Sequence, residues 1–130
     1  MFKEKAKLII RNYVKSTYSK IEVNPGLYRF NYKCHCNAVH DAIVNNEDYI
    51  ALVMILNSTD VIIHFININK DEIYTDNTLG HWSSTYDYYL VKYVYRKSFF
   101  KIENIFSNYR VELNNILPWW VRNFISLDTF

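Results

Sequence analysis

The stretch Tyr49-Ile50-Ala51-Leu52-Val53-Met54-Ile55-Leu56, then Asn57-Ser58-Thr59-Asp60, then Val61-Ile62-Ile63-His64-Phe65-Ile66-Asn67-Ile68, decides how this chain folds. β-Branched and apolar side chains fill both outer runs, and four residues with turn chemistry divide them. The pattern predicts a hairpin of two well-buried strands. Either run is far too short to span a bilayer. Residues 72–75 read as a third strand, between Asn69-Lys70-Asp71 and Asp76-Asn77-Thr78-Leu79-Gly80. Residues 88–95 read as a fourth, with tyrosines on both faces.

Helical spacing brackets this strand region. Phe2, Ala6, Ile9, Ile10, Tyr13 and Val14 form one apolar stripe, and Ile102, Ile105, Phe106, Tyr109, Leu113 and Ile116 form another that stops at Pro118. Between the first helix and the hairpin, Asn24-Pro25-Gly26 is the strongest turn signal. Residues 27–33 read as a loop or a short extended piece. Residues 34–46 read as a short amphipathic helix carrying Ala38, Val39, Ala42 and Ile43, stopped by Asn45-Asn46. Trp119-Trp120 and Phe124 are expected to lock the last helix onto the sheet. The expected fold is α+β, an antiparallel sheet packed against a cysteine-bearing helix from the N-terminal half and a C-terminal helix. No repeat or linker divides the chain, so residues 1–130 are read as one domain.

Composition narrows the function classes. The chain has 130 residues, 50% hydrophobic and 18% aromatic, with 2 Gly and 2 Pro, which excludes a disordered or low-complexity protein. A formal net charge of +2 does not suit a dedicated nucleic-acid binder. Tyr93, Tyr95, Arg96 and Lys97 are the best stacking cluster, and it is weak. No Gly-rich phosphate loop is present, and the residues call for no cofactor. The mixed charges of Met1-Phe2-Lys3-Glu4-Lys5 do not resemble a signal peptide, so a soluble cytoplasmic protein with no membrane partner is expected. Cys34 and Cys36 are too close to pair with each other, which suits a reducing compartment.

Three residues carry the chemistry. Cys34 opens a helix, where free N–H groups and the helix dipole favour a thiolate. His64 lies mid-strand in an apolar run and must find polar partners there. If the next strand returns antiparallel, Asp76 at its end comes back beside His64 and fixes its tautomer.

The run His64-Phe65-Ile66-Asn67-Ile68, followed by Glu72-Ile73-Tyr74-Thr75-Asp76-Asn77-Thr78, resembles the papain-like, transglutaminase-like superfamily of cysteine enzymes. Members carry a histidine on one strand and Asp-x-Thr at the end of the next, downstream of a helix-opening cysteine. The stretch Cys34-His35-Cys36-Asn37-Ala38 is also similar to small phage proteins with that layout. The resemblance implies Cys34 as nucleophile, His64 as base then acid, and Asp76 as orienting carboxylate. The oxyanion donors would be the Cys34 amide with an amide side chain such as Asn31 or Asn37. It further implies a hydrolase or acyltransferase acting on a protein or peptide, a host protein if the source is a phage. One departure is that His35 stands where these enzymes usually carry an aromatic.

Other readings stand beside these. Cys36 is expected in the core, on the same helical face as His40. Asp76 could instead cap its own turn. A metal held by Cys34, His35, Cys36 and His40 is the competing chemistry, although the spacing does not suit a structural zinc knuckle, and none is expected. His81 and Trp82 either rim a pocket or lie in an exposed loop. The rival function is a non-catalytic protein that blocks a host factor.

Overall fold

The computed structural model describes residues 2–31, 33–125 and 129–130. Helix α1 (Phe2–Thr17) is followed by two short strands, β1 (Ser19–Ile21) and β2 (Val23–Pro25), and by helix α2 (Cys34–Val44). Strands β3 (Tyr49–Leu56), β4 (Val61–Ile68), β5 (Tyr74–Asp76) and β6 (Asp87–Tyr95) come next, then α3 (Ile102–Ile116) and a short α4 (Trp119–Arg122). Two-turn 3-10 segments, Gly80–Thr85 and Arg96–Lys101, flank β6. The mixed α+β class expected from the sequence is observed, and β3, β4 and α3 have the expected limits. Among the described residues, no helix is long and apolar enough to cross a membrane.

The β3–β4 turn closes as its residues dictate. The Asn57 side-chain oxygen accepts the amides of Thr59 and Asp60 at 2.9 and 2.7 Å, an Asx turn. The third strand is shorter and later than expected. Asn69 accepts the amides of Asp71 and Ile73, and Glu72 takes a positive φ of 62°, so residues 69–73 are spent on the turn.

The six strands lie in the order β1-β6-β3-β4-β5-β2. Every pair is antiparallel except β2 with β5, which corrects the expectation of a purely antiparallel sheet. The segment expected as a turn is responsible: Asn24 and Pro25 pair with Thr75 and Asp76. Proline is tolerated because β2 is an edge strand with one unpaired side. β1 and β2 occupy opposite edges yet are separated only by Glu22. Two Cα steps span at most about 7.6 Å, so the sheet must curl until its edges nearly meet.

The curl gives the sheet two interiors. Leu52, Met54, Leu56, Ile63 and Phe65 face the helices, where Ala6, Ile10 and Val14 of α1, Ala38 and Ala42 of α2, and Tyr109 and Leu113 of α3 cover them. Ala51, Val53, Ile55, Ile66 and Tyr88 face the inside of the curl, with Ile21 and Val23 packed against them. Trp120 and Phe124 do not lock α3 onto the sheet as expected. They pack on Phe2 of α1, with ring centroids at 6.5 and 4.8 Å, and Trp119 is exposed.

Candidate active site

β5 pairs with β4 only at Asn67 and Ile68, then diverges. The outward-facing amides of β4 before that point lose their strand partner and must find others. The Ile63 amide donates to the Phe130 carbonyl at 3.3 Å. The Phe65 amide donates to the Cys34 thiol. The start of α2 is thus docked on the open edge of β4, with its sulfur in a backbone hydrogen-bonding position. His64 lies between these two positions and is directed into the curl, opposite Val53.

The structure brings Cys34, His64 and Asp76 together. His64 Nε2 is 2.7 Å from Asp76 Oδ2, and the pair is fully buried. The Cys34 thiol lies beside His64, and each stabilises the charged form of the other. Since Nε2 is engaged by Asp76, Nδ1 is the ring nitrogen left for the sulfur. Both readings of Asp76 hold at once. Its Oδ1 accepts the amides of Thr78 and Leu79, each at 2.9 Å, while Oδ2 takes His64 and the Tyr88 hydroxyl.

The electrostatics follow from these contacts. Burial by itself would push the Cys34 thiol up. The His64 charge, hydrogen bonds from His35 and His64, and the Phe65 amide outweigh it and bring the thiol down to about 6. Burial likewise disfavours the imidazolium, but the thiolate and Asp76 push His64 up to about 10. Asp76 would be raised by burial, yet His64, Tyr88 and the Leu79 amide hold it at about 2. Burial and the Asp76 charge drive Tyr88 well above its ordinary range, so it remains a donor. All three shifts favour a thiolate–imidazolium pair backed by a carboxylate.

Three further participants were not assigned to this site by sequence reasoning. Tyr88 is one, and the only hint of it was a polar ring on a predicted strand. His35, read as a departure from the family pattern, donates to the thiol; that bond raises its pKa, and Glu103 at 3.7 Å adds to the effect. The third is Arg110 of α3, which lines the same cavity.

That cavity has a volume of about 430 Å³ and is walled by Cys34 and His64 together with apolar groups such as Ile62, Leu79, Phe106 and Phe130. Asn31, Asn37 and Trp82 are not among its lining residues. Both hydrogens of the Asn37 amide nitrogen are used, one by Thr78 Oγ1 at 2.9 Å and one by Asn31 Oδ1 at 3.0 Å. Asn31 completes a reciprocal amide pair with Asn37 and receives the Lys33 amide, so both asparagines pin the start of α2 to the turn after β5. Trp82 is half-exposed in a separate depression with Tyr28 and Tyr86. Cys36 is exposed rather than in the core, because α2 turns that face outward at its first turn.

The metal grouping considered from sequence is not assembled as such. His40 pairs with Asp41, whereas His35 and Cys36 meet Glu103, with ligand atoms all within 4.8 Å. Arg96, part of the candidate stacking cluster, donates to the Ala42 and Glu47 carbonyls and is thereby structural. No family model matches the chain, and searches of curated proteins and of solved structures find no match either.

Proposed function

We propose that the protein is a cysteine-dependent hydrolase or acyltransferase of papain-like, transglutaminase-like kind, acting on an amide, thioester or isopeptide carbonyl of a protein or peptide. The observation that carries this reading is the Cys34 thiol beside His64, itself held by Asp76, at the wall of an apolar cavity. A buried thiol with a strongly lowered pKa beside an oriented imidazole is arranged for nucleophilic attack.

The thiolate of Cys34 attacks the carbonyl carbon, and the carbonyl π electrons move to oxygen. The first amides of an α-helix have no intrahelical acceptor, so those of Cys34 and His35 serve the oxyanion. Collapse of the intermediate breaks the bond to the leaving group, which takes the proton from the His64 imidazolium. The resulting thioester is attacked by an acceptor, whose proton returns to His64. Water as acceptor makes the enzyme a hydrolase, and an amine makes it an acyltransferase. Asp76 and Tyr88 keep the ring in one orientation throughout.

The layout of Cys34-His35-Cys36-Asn37-Ala38, which resembles that of small phage proteins, favours a host protein as substrate and a cytoplasmic site of action. A non-catalytic inhibitor of a host factor is the second reading, favoured by the exposed Phe30 and Phe100, at 79% and 87%. Alkylation by iodoacetamide, located by mass spectrometry, separates the two. The enzyme reading expects rapid labelling of Cys34 at pH 7 that is lost in His64→Ala while the melting transition persists. A Cys34 that reacts no faster than an ordinary thiol overturns it.

A further inference from the structure

We propose that Arg110 makes the cavity beside Cys34 a subsite for a carboxylate, so that the group presented to the thiol is apolar in body and anionic at one end. This names the substrate class for the reading of Cys34 as a nucleophile and rests on that reading.

Arg110 lies one helical turn after Phe106 on α3, and its guanidinium carbon stacks 4.6 Å from the centre of the Phe106 ring. Its Nε is buried and has no hydrogen-bond partner among the described residues. The other inward-turned guanidinium groups are satisfied. Arg29 forks onto both Asp41 oxygens at 2.6 and 2.9 Å, and Arg96 and Arg11 reach backbone carbonyls. Arginine does not shed its proton, so Arg110 cannot relieve the deficit by becoming neutral. Stacking on Phe106 covers the face of the guanidinium and leaves its edge for a planar two-oxygen acceptor.

The surrounding charges point the same way. No Asp or Glu lines the cavity, and the His64 charge is already balanced by Asp76 and Cys34. Among the described side chains that line the cavity, Arg110 is the cation that forms no ion pair. An acyl group filling the apolar wall with Ile62, Leu79 and Phe130 would carry the missing carboxylate.

The test compares iodoacetate with iodoacetamide at Cys34, at low ionic strength, in the wild type, Arg110→Gln and Arg110→Lys. Arg110→Gln should slow iodoacetate alkylation about five- to tenfold while leaving iodoacetamide unchanged, as expected for loss of one nearby charge. Arg110→Lys should recover part of that loss. An unchanged ratio of the two rates overturns the proposal. A second readout does not depend on the thiol: phenylacetate should shift the Arg110 Nε–H resonance in an NMR titration, and phenylacetamide should not. Equal responses to both compounds overturn the subsite. Slow iodoacetamide labelling in the wild type overturns the nucleophile instead, so the two failures are distinguishable.

Discussion

Cys34 and His64 stabilise each other's charge, and this sets the pH window of the site. The thiol ionises near 6 and the imidazolium persists to about 10. Alkylation of Cys34 should therefore rise with a midpoint near pH 6, against about 8.5 for an ordinary cysteine. In His64→Ala the opposite charge is gone while much of the burial remains, so the midpoint should move above neutrality. A wild-type midpoint at the ordinary value would end the ion-pair description. Asp76 has the complementary sign. Its pKa is depressed to about 2, so its contribution is complete above the unfolded carboxylate value and is lost as pH falls toward 2. Linkage makes that about 2 kcal/mol. Urea melts between pH 5 and pH 2 should show this loss in the wild type and much less of it in Asp76→Asn. His64 works the other way, with its stabilisation full below about 6.5 and lost as pH rises toward 10.

Elements set the distances between these side chains. α2 begins without a side-chain cap, so its first turn is held from outside. The Asn31–Asn37–Thr78 amide chain holds it from one side. Asn67 donates to the Ala38 carbonyl from β4, and Arg29 joins Asp41 of α2 to the Asn77 carbonyl after β5. Asn37→Ala should cost about 1–3 kcal/mol, the usual penalty for unpairing buried polar groups. It should also slow Cys34 alkylation more than the stability loss explains, because the sulfur would lose its register on β4. Unchanged alkylation kinetics would reduce Asn37 to a stability role. Gly26 belongs to the same scaffold. A Cβ there would collide with Asn77 Oδ1 and meet the Asp76 carbonyl at 2.9 Å, so only glycine lets the chain after β2 approach Asp76 this closely.

At the scale of the molecule, the curled sheet places one interior under the helices and the other around His64. Leu113 is fully buried where α3 covers the sheet. Leu113→Ala should destabilise the fold by about 2–5 kcal/mol, visible as a lower urea midpoint. The pH midpoint of Cys34 alkylation should stay near 6: Cys34 shares the helix-side core with Leu113, but His64, whose charge lowers the thiol, faces the other interior opposite Val53. A shift in that midpoint would mean that the two interiors are coupled.

Periodicity and turn chemistry were enough to read the β3–β4 hairpin, the three main helices and the order cysteine, histidine, aspartate, because each depends on residues close together in the chain. The same local signals misread Asn24-Pro25-Gly26 and missed β1. A three-residue strand carries too little pattern, and its pairing partner is remote. The meeting of thiol, imidazole and carboxylate depends on β5 leaving β4 after two residues and on α2 filling the vacated edge. His35, Tyr88 and Arg110 joined the site through the same packing. Their roles rest on distances between segments far apart in the chain, which hydrophobic spacing does not encode and close packing of the folded molecule does.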